Sequence, residues 1–230
     1  KYSSEWMRSV AVRSSTGLVF EAARPNGALV RSRKGAGQLR VTLQGVAAHA
    51  GNNPKGGRSA ILEAARMICD ISALSDFDGT GVTVNAGTIS GGSAVNVVAA
   101  ACTFGVDVRG WTDEDLNGTI AKIYERAKHP SIKGVTIAVE TLGLTPAMPF
   151  KEGNANLVEK INKAAEMAGF TAQWVDAGGG SDANHMAPTG IAVADGLGPI
   201  GDYGHSDKEC LMVDSIEQRV RMNVNLLSLL

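Results

Sequence analysis

The sequence predicts an α/β protein in which a ferredoxin-like α+β unit (βαββαβ) is inserted into a partial α/β catalytic-type sheet. Three observations carry this reading. Between Leu39 and Glu140, alternating segments and helix-period segments follow the order β-α-β-β-α-β. After Pro149 the style changes to helices and short apolar runs joined by glycine-rich loops. Residues 1–35 carry a helix and a strand of that second style, so the ferredoxin-like unit interrupts the larger sheet. The implied division is 1–35, 36–148 and 149–230.

Each element has its own signal. Ser3 to Ser14 reads as a short helix, with Trp6, Met7 and Val10 at helical spacing. Gly17 to Glu21 reads as a short buried strand that ends on a glutamate. Leu39 to Gly45 alternates as a half-buried strand. A loop from His49 to Gly57 leads into a helix over Ser59 to about Leu74, with Ile61, Leu62, Ala65, Ile68 and Cys69 read as its apolar stripe. The strands Val82 to Ile89 and Ala101 to Arg109 flank a loop that holds Asn96. Thr112, Asp113 and Glu114 open the next helix in N-cap fashion, and it closes before His129-Pro130. Gly134 to Glu140 alternates again. Beyond Pro149, a helix over Asn154 to Ala168 stops at Gly169. A β-like stretch, Thr171 to Val175, then leads to Gly178-Gly-Gly180-Ser181-Asp182. A short helix, the apolar run Ile191 to Ala194, a glycine-rich loop presenting His205, and an amphipathic helix over Ser215 to Leu230 complete the series.

Composition narrows the function classes. Against 22 basic side chains stand 23 acidic ones, so there is no electrostatic footprint for nucleic acid or an anionic membrane. The basic run Arg31, Arg33, Lys34 and Arg40 is expected to be the solvated face of a strand. No apolar run reaches the length of a membrane span. Cys69, Cys102 and Cys210 are too few and too scattered for a disulfide framework, and their apolar neighbourhoods predict buried, reduced thiols and a reducing, cytoplasmic compartment.

Some residues carry chemistry. His49 and His205 sit in glycine-flanked loops directly after strands, where α/β proteins build their sites. His129 precedes Pro130 at a helix end, where a cation suits the dipole, and His185 reads as structural or as a support to the Ser181-Asp182 loop. Glu21 either binds a metal or cation at its strand end or turns out to solvent. Arg109 either grips a carboxylate through its planar fork or pairs with Asp107 or Asp113. Asn96 alone reads as a turn former. The triple glycine fails as a P-loop, because no Lys-Ser/Thr follows it, and leaves close backbone approach to a small carboxylate as its functional reading. No Gly-x-Ser-x-Gly elbow is present.

Six segments occur together in one order: Val19-Phe-Glu21; Ala48-His49-Ala-Gly51 with Pro54 and Gly57; Ser93-Ala-Val-Asn96; Val106-Asp-Val-Arg109; Gly178-Gly-Gly-Ser-Asp182; and Gly204-His205-Ser-Asp-Lys-Glu209. In these segments the chain resembles the M20 metallopeptidase family, most of all its glutamate carboxypeptidase (carboxypeptidase G2) branch, from about Gly17 to the C-terminus. The resemblance implies a zinc-peptidase-like α/β catalytic domain with an inserted lid and dimerisation domain, two zinc ions per complete active site, and a homodimer formed through the lid. Glu21 and His205 would each be a zinc ligand. His49 would reach into the partner's site and stabilise the oxyanion. Asn96 and Arg109 would bind the substrate's terminal carboxylate, and Gly179, Gly180 and Ser181 would line the substrate pocket.

The implied activity is zinc-dependent hydrolysis of the amide bond in a small N-acyl amino acid or peptide-like substrate, with release of a C-terminal glutamate favoured by the branch. Deacylation of acetylornithine or succinyl-diaminopimelate type substrates is the near alternative, and a non-catalytic dimerisation or binding module the distant one. The family's first histidine ligand (in an HxD motif), bridging aspartate and Glu-Glu pair lie upstream of the ligand glutamate, and this chain has no counterpart upstream of Glu21. It is therefore expected to be an incomplete form that does not retain the metal pair alone. Ala22 also stands where the family often has proline.

Overall fold

The computed structural model describes residues 2–230, which form two compact units: residues 2–34 with 146–230, and residues 35–145. Among the described residues no helix is long and apolar enough to cross a membrane.

The first unit begins with α1 (Tyr2–Ala11) and β1 (Thr16–Leu18) and continues with β2 (Leu29–Arg33). After the six elements of the second unit, it resumes with α4 (Ala155–Met167), β7 (Trp174–Ala177), α5 (Ala183–Met186) and β8 (Ala192–Ala194). The short strands β9 (Gly201–Asp202) and β10 (Cys210–Leu211) and the helix α6 (Asp214–Leu227) end it. Its strands pair in twos: β1 with β8 and β2 with β7, both parallel, and β9 with β10 as an antiparallel hairpin. The core lies between α4 and α6 and the strands, with Leu29, Leu157, Ile161, Ala194, Leu197, Met222 and Leu226 all buried. α4 ends as the sequence requires: Gly169 takes φ +86°, and the amide of Phe170 donates to the Ala165 carbonyl at 3.1 Å.

The second unit holds β3 (Gly35–Gln44), α2 (Ala60–Ser72), β4 (Thr83–Gly91), β5 (Ala101–Gly110), α3 (Asp113–Ala127) and β6 (Thr136–Thr145). Its four strands are ordered β4-β5-β3-β6, every neighbour antiparallel, which is the split βαβ arrangement. Alternation sets the inner face: Leu39, Val41 and Leu43 of β3 and Cys102, Phe104, Val106 and Val108 of β5 pack on Met67 and Ile71 of α2 and on Leu116, Ile120 and Ile123 of α3. Ser59 caps α2 by accepting from the Leu62 amide at 3.1 Å, and Thr112 caps α3 by accepting from the Asp115 amide at 3.0 Å.

Three expectations are corrected. The buried face of α2 is Ala60, Glu63, Ala64, Met67 and Ile71, whereas Ile61, Leu62, Ala65 and Cys69 face outward and only Ile68 packs against the core. The helix is apolar on more than one side, so the 3.6 period offers two stripes. The inner one includes a carboxylate, because Glu63 has its hydrogen bonds satisfied there. The basic run is not uniformly solvated: Arg31 and Arg40 are exposed and paired with Asp176 and Glu140, but Arg33 is buried against Asp195. Of the cysteines only Cys102 is buried, and burial raises the pKa of its thiol; Cys69 and Cys210 are exposed, and all three are free.

Candidate active-site cleft and lid residues

A cleft of about 640 Å³ opens in the first unit, at the ends of its parallel strands. Glu21 and Arg24 on the segment after β1, Arg33 at the end of β2, Gly178, Gly179 and Gly180 after β7, and Tyr203, His205 and Glu209 of the β9–β10 hairpin line it. Residues far apart in sequence thus meet at one place because β1, β2 and β7 all deliver their C-terminal ends there.

Glu21 lies beyond β1 rather than within a strand, and its carbonyl accepts from the Gly198 amide at 3.0 Å. Its side chain is exposed. His205 sits at the hairpin tip, and its amide donates to the Glu209 carboxylate at 3.0 Å. Tyr203 and His205 take φ values of +55° and +67°, the two non-glycine residues in the left-handed region among those described. Holding both there costs free energy, and such strain collects at functional loops. Asp207 completes the chain's only His-x-Asp triplet with His205, but it does not line the cleft.

The glycine loop rests on a buried ion pair. Arg33 Nε meets Asp195 Oδ2 at 2.6 Å, and Arg33 Nη1 donates to the Gly179 carbonyl at 2.8 Å. Asp195 also accepts from the Ser181 hydroxyl and, at 2.5 Å, from the Gly196 amide. Ser181 therefore turns its hydroxyl down to Asp195 and is absent from the cleft lining, while Gly179 and Gly180 belong to it. A Cβ added at Gly178 or Gly179 would meet nothing within 4 Å. Close packing inside this chain therefore does not explain the glycines. Asp176, also at the rim, has its pKa lowered by hydrogen bonds from Arg31 and Ser32. Arg33, Asp195 and Arg24 carried no motif signal; the charged pair could have been suspected only from an arginine and an aspartate lying inside apolar strand segments.

The second unit places its residues in two groups. His49 bridges to Val97, and the Ala50 amide donates to the Asn96 carbonyl at 2.9 Å, so His49 and Asn96 share one loop cluster. His49 Nδ1 accepts from the amides of Gly51 and Asn52, both at 3.1 Å. Arg109 lies at the far end of β5, opposite Ala36, whereas Ala101 lies opposite Gln44 beside the histidine loop. Eight residue-to-residue steps along the strand separate the two ends, roughly 27 Å at 3.4 Å per step. Within one chain, Asn96 and Arg109 cannot hold the same carboxylate. Arg109 Nε pairs with Asp107 at 2.8 Å. His129 is exposed beside Glu125, and burial, helped by the charge of Arg8, lowers the pKa of His185.

Glutamate and histidine are donor types that a divalent zinc accepts. Among the described residues no group of three or more His, Cys, Asp or Glu side chains could hold a metal ion. The donors present fit part of such a site and do not complete its ligand set.

The peptidase dimerisation domain of the M20 family matches residues 31–135. The chain is 29% identical to carboxypeptidase G2 of Pseudomonas sp. (strain RS-16) over 84% of its own length and 47% of that protein's. It is 26% identical to succinyl-diaminopimelate desuccinylase of Magnetococcus marinus, over 93% of this chain and 57% of that one. Among solved structures, aminopeptidase PepT of Bacillus cereus superposes with a TM-score of 0.79 at 27% identity, covering 93% of this chain and 56% of that one. The chain thus spans about half the length of the curated relatives it matches. It contains a peptidase dimerisation domain of the M20 type and, over most of its length, is similar to peptidases and amidohydrolases.

Proposed function

We propose that this chain supplies the dimerisation lid and part of the catalytic unit of a zinc-dependent amidohydrolase, which cleaves the amide bond of a small N-acyl amino acid or peptide-like substrate with a free carboxylate. The carrying observation is the convergence of Glu21, His205 and the Gly178–Gly180 loop on one cleft. In this reading Glu21 and His205 each give one ligand to a zinc pair, and the remaining ligands come from sequence outside this chain. Bound there, the metal would polarise the amide carbonyl and activate water. His49, in the tautomer its loop favours, donates from Nε2 to the oxygen that gains charge. Arg109 exchanges Asp107 for the substrate carboxylate. Glutamate as the released residue is the finer reading, supported by the likeness to carboxypeptidase G2; deacylation of the desuccinylase kind is the alternative.

Two features support a homodimer through the lid. The outward face of α2 exposes Ile61 and Leu62, where a partner would cover them. Because Asn96 and Arg109 lie at opposite ends of β5, a carboxylate held by both needs one residue from each of two copies.

The test is zinc analysis and hydrolysis by the full-length gene product across N-acyl glutamates, N-succinyl and N-acetyl amino acids. Two zinc ions per chain, with zinc lost in Glu21→Ala and His205→Ala but kept in His49→Ala, are expected. Zinc unaffected by the first two variants would overturn the ligand assignment. A monomeric mass in solution, unchanged in Leu62→Glu, would overturn the homodimer.

A further inference from the structure

The same cleft contains a cation that the proposed chemistry leaves unused. Arg24 is half-buried and lines the cleft with Glu21, Arg33 and the glycine loop. Among the described residues its guanidinium makes no hydrogen bond and no ion pair, although Glu21 and Asp195 act on it through space. The contrast with its neighbours is informative. Arg31 is spent on Asp176, and Arg33 on Asp195 and the Gly179 carbonyl. Burial lowers the Arg24 pKa and the charge of Arg33 lowers it further, so the guanidinium is held at a cost that a bound anion would relieve.

The glycine loop brings free donors to the same place. The amides of Gly179 and Gly180 donate to no group among the described residues, and the Arg33 bond to the Gly179 carbonyl fixes the peptide beside them. Open backbone N–H groups near an unspent guanidinium make a carboxylate-binding arrangement: planar, charge-assisted and tolerant of water at one side. A glutamate side chain of this chain could have filled that role, but Glu21 stops short of hydrogen-bonding distance.

We propose that Arg24, with the Gly179 and Gly180 amides, binds a second carboxylate of the substrate, distinct from the one assigned to Arg109, so that the preferred substrates are dicarboxylates. This rests on the amidohydrolase reading. It assigns Arg24 to substrate selection and leaves bond cleavage to other groups.

Two measurements separate the ideas. First, the 230-residue chain itself is titrated with glutarate and with its neutral isostere glutaramide, following backbone amide resonances. Glutarate is expected to shift Gly179 and Gly180, glutaramide to do so far less, and Arg24→Gln to abolish the difference, with Arg24→Lys retaining part of it. Equal responses to the two probes, or an unchanged response in Arg24→Gln, would overturn the proposal. Second, the full-length gene product is assayed on pairs differing in one carboxylate, such as N-acyl glutamate against N-acyl glutamine and N-succinyl against N-butyryl amino acids. A preference for the dicarboxylate of about 10- to 100-fold in kcat/KM is expected, collapsing toward one in Arg24→Gln. If that variant loses activity equally on both members of every pair, Arg24 is structural and the proposal fails. No hydrolysis of any pair by the unaltered enzyme would instead sink the amidohydrolase reading, and the glutarate titration would still decide the anion site.

Discussion

Arg33 and Asp195, 162 residues apart in sequence, meet at 2.6 Å with both side chains buried, and through them the glycine loop is tied to the strands beneath it. Taking two charges out of water is costly, and the cost is recovered here by close geometry and by the Ser181, Gly196 and Gly179 partners.

Removing one member should therefore hurt more than removing both. Arg33→Met is expected to destabilise the protein by about 3–5 kcal/mol, because Asp195 is left buried without its cation. The double variant Arg33→Met/Asp195→Leu should recover much of that loss. Urea unfolding of the three proteins measures both effects. The Gly179 and Gly180 amide resonances should shift and broaden in either case, since the Nη1 bond to the Gly179 carbonyl is gone. A single variant no worse than the double one would mean the pair is not what holds the loop.

Elements were legible where a local signal coincided with the packing. Thr112 and Ser59 cap the helices that follow them, Gly169 closes α4 in the left-handed region, and strict alternation in β5 marks its inner face. The face of α2 was misread because its composition offers two apolar stripes, and only the tertiary partners of Glu63 decide between them. Arg33 was misread for the same reason: its partner lies in another segment, and no spacing rule reports it. Glu21, His205 and the triple glycine stand out in the sequence as residues, but their common cleft depends on three strands ending together.

Glu63 provides a parallel test in the ferredoxin-like unit. Its carboxylate is buried and accepts from the amides of Ser131 and Ile132 at 2.9 and 2.8 Å and from Arg126 at 3.1 Å. It thereby fastens α2 to the turn after α3. Glu63→Ala is expected to cost about 2–4 kcal/mol, chiefly from the two orphaned backbone donors, since Arg126 keeps its ion pair with Asp70 at 2.6 Å. Glu63→Gln keeps the shape but turns an amide N–H₂ toward donors, and should cost about 1–3 kcal/mol. Chemical denaturation of both variants gives the ranking, and a reversed order would remove the carboxylate's charge from the explanation.

His185 makes stability fall as the pH drops below neutrality. Burial lowers its folded-state pKa below the usual histidine value, and the charge of Arg8 acts in the same direction. Its Nδ1 is buried and has no hydrogen-bond partner among the described residues. The folded protein then binds fewer protons than the unfolded chain just below pH ~6.5, so stability falls as the pH drops from there through the folded-state pKa. Thermal unfolding of the parent and of His185→Gln between pH 7.5 and pH 5 tests this. The variant should show a flatter decline across that window. An equal decline in both would assign the effect to other groups.

The turn after His49 fixes the proton on its ring. Its Nδ1 accepts from the amides of Gly51 and Asn52, so in the neutral ring that nitrogen carries no hydrogen. The proton must then sit on Nε2, which leaves an N–H donor facing away from the turn. A ring held this way is prepared to donate without first exchanging tautomers, as an oxyanion donor requires. Nitrogen-15 NMR of the ring, at a pH where it is neutral, should find Nε2 protonated and Nδ1 bare. Gly51→Pro removes one of the two amide donors and should broaden the tautomer preference while leaving the ferredoxin-like fold intact. Dominant Nδ1–H in the parent protein would show that the turn does not orient the imidazole, and would remove the structural reason for giving His49 the donor role.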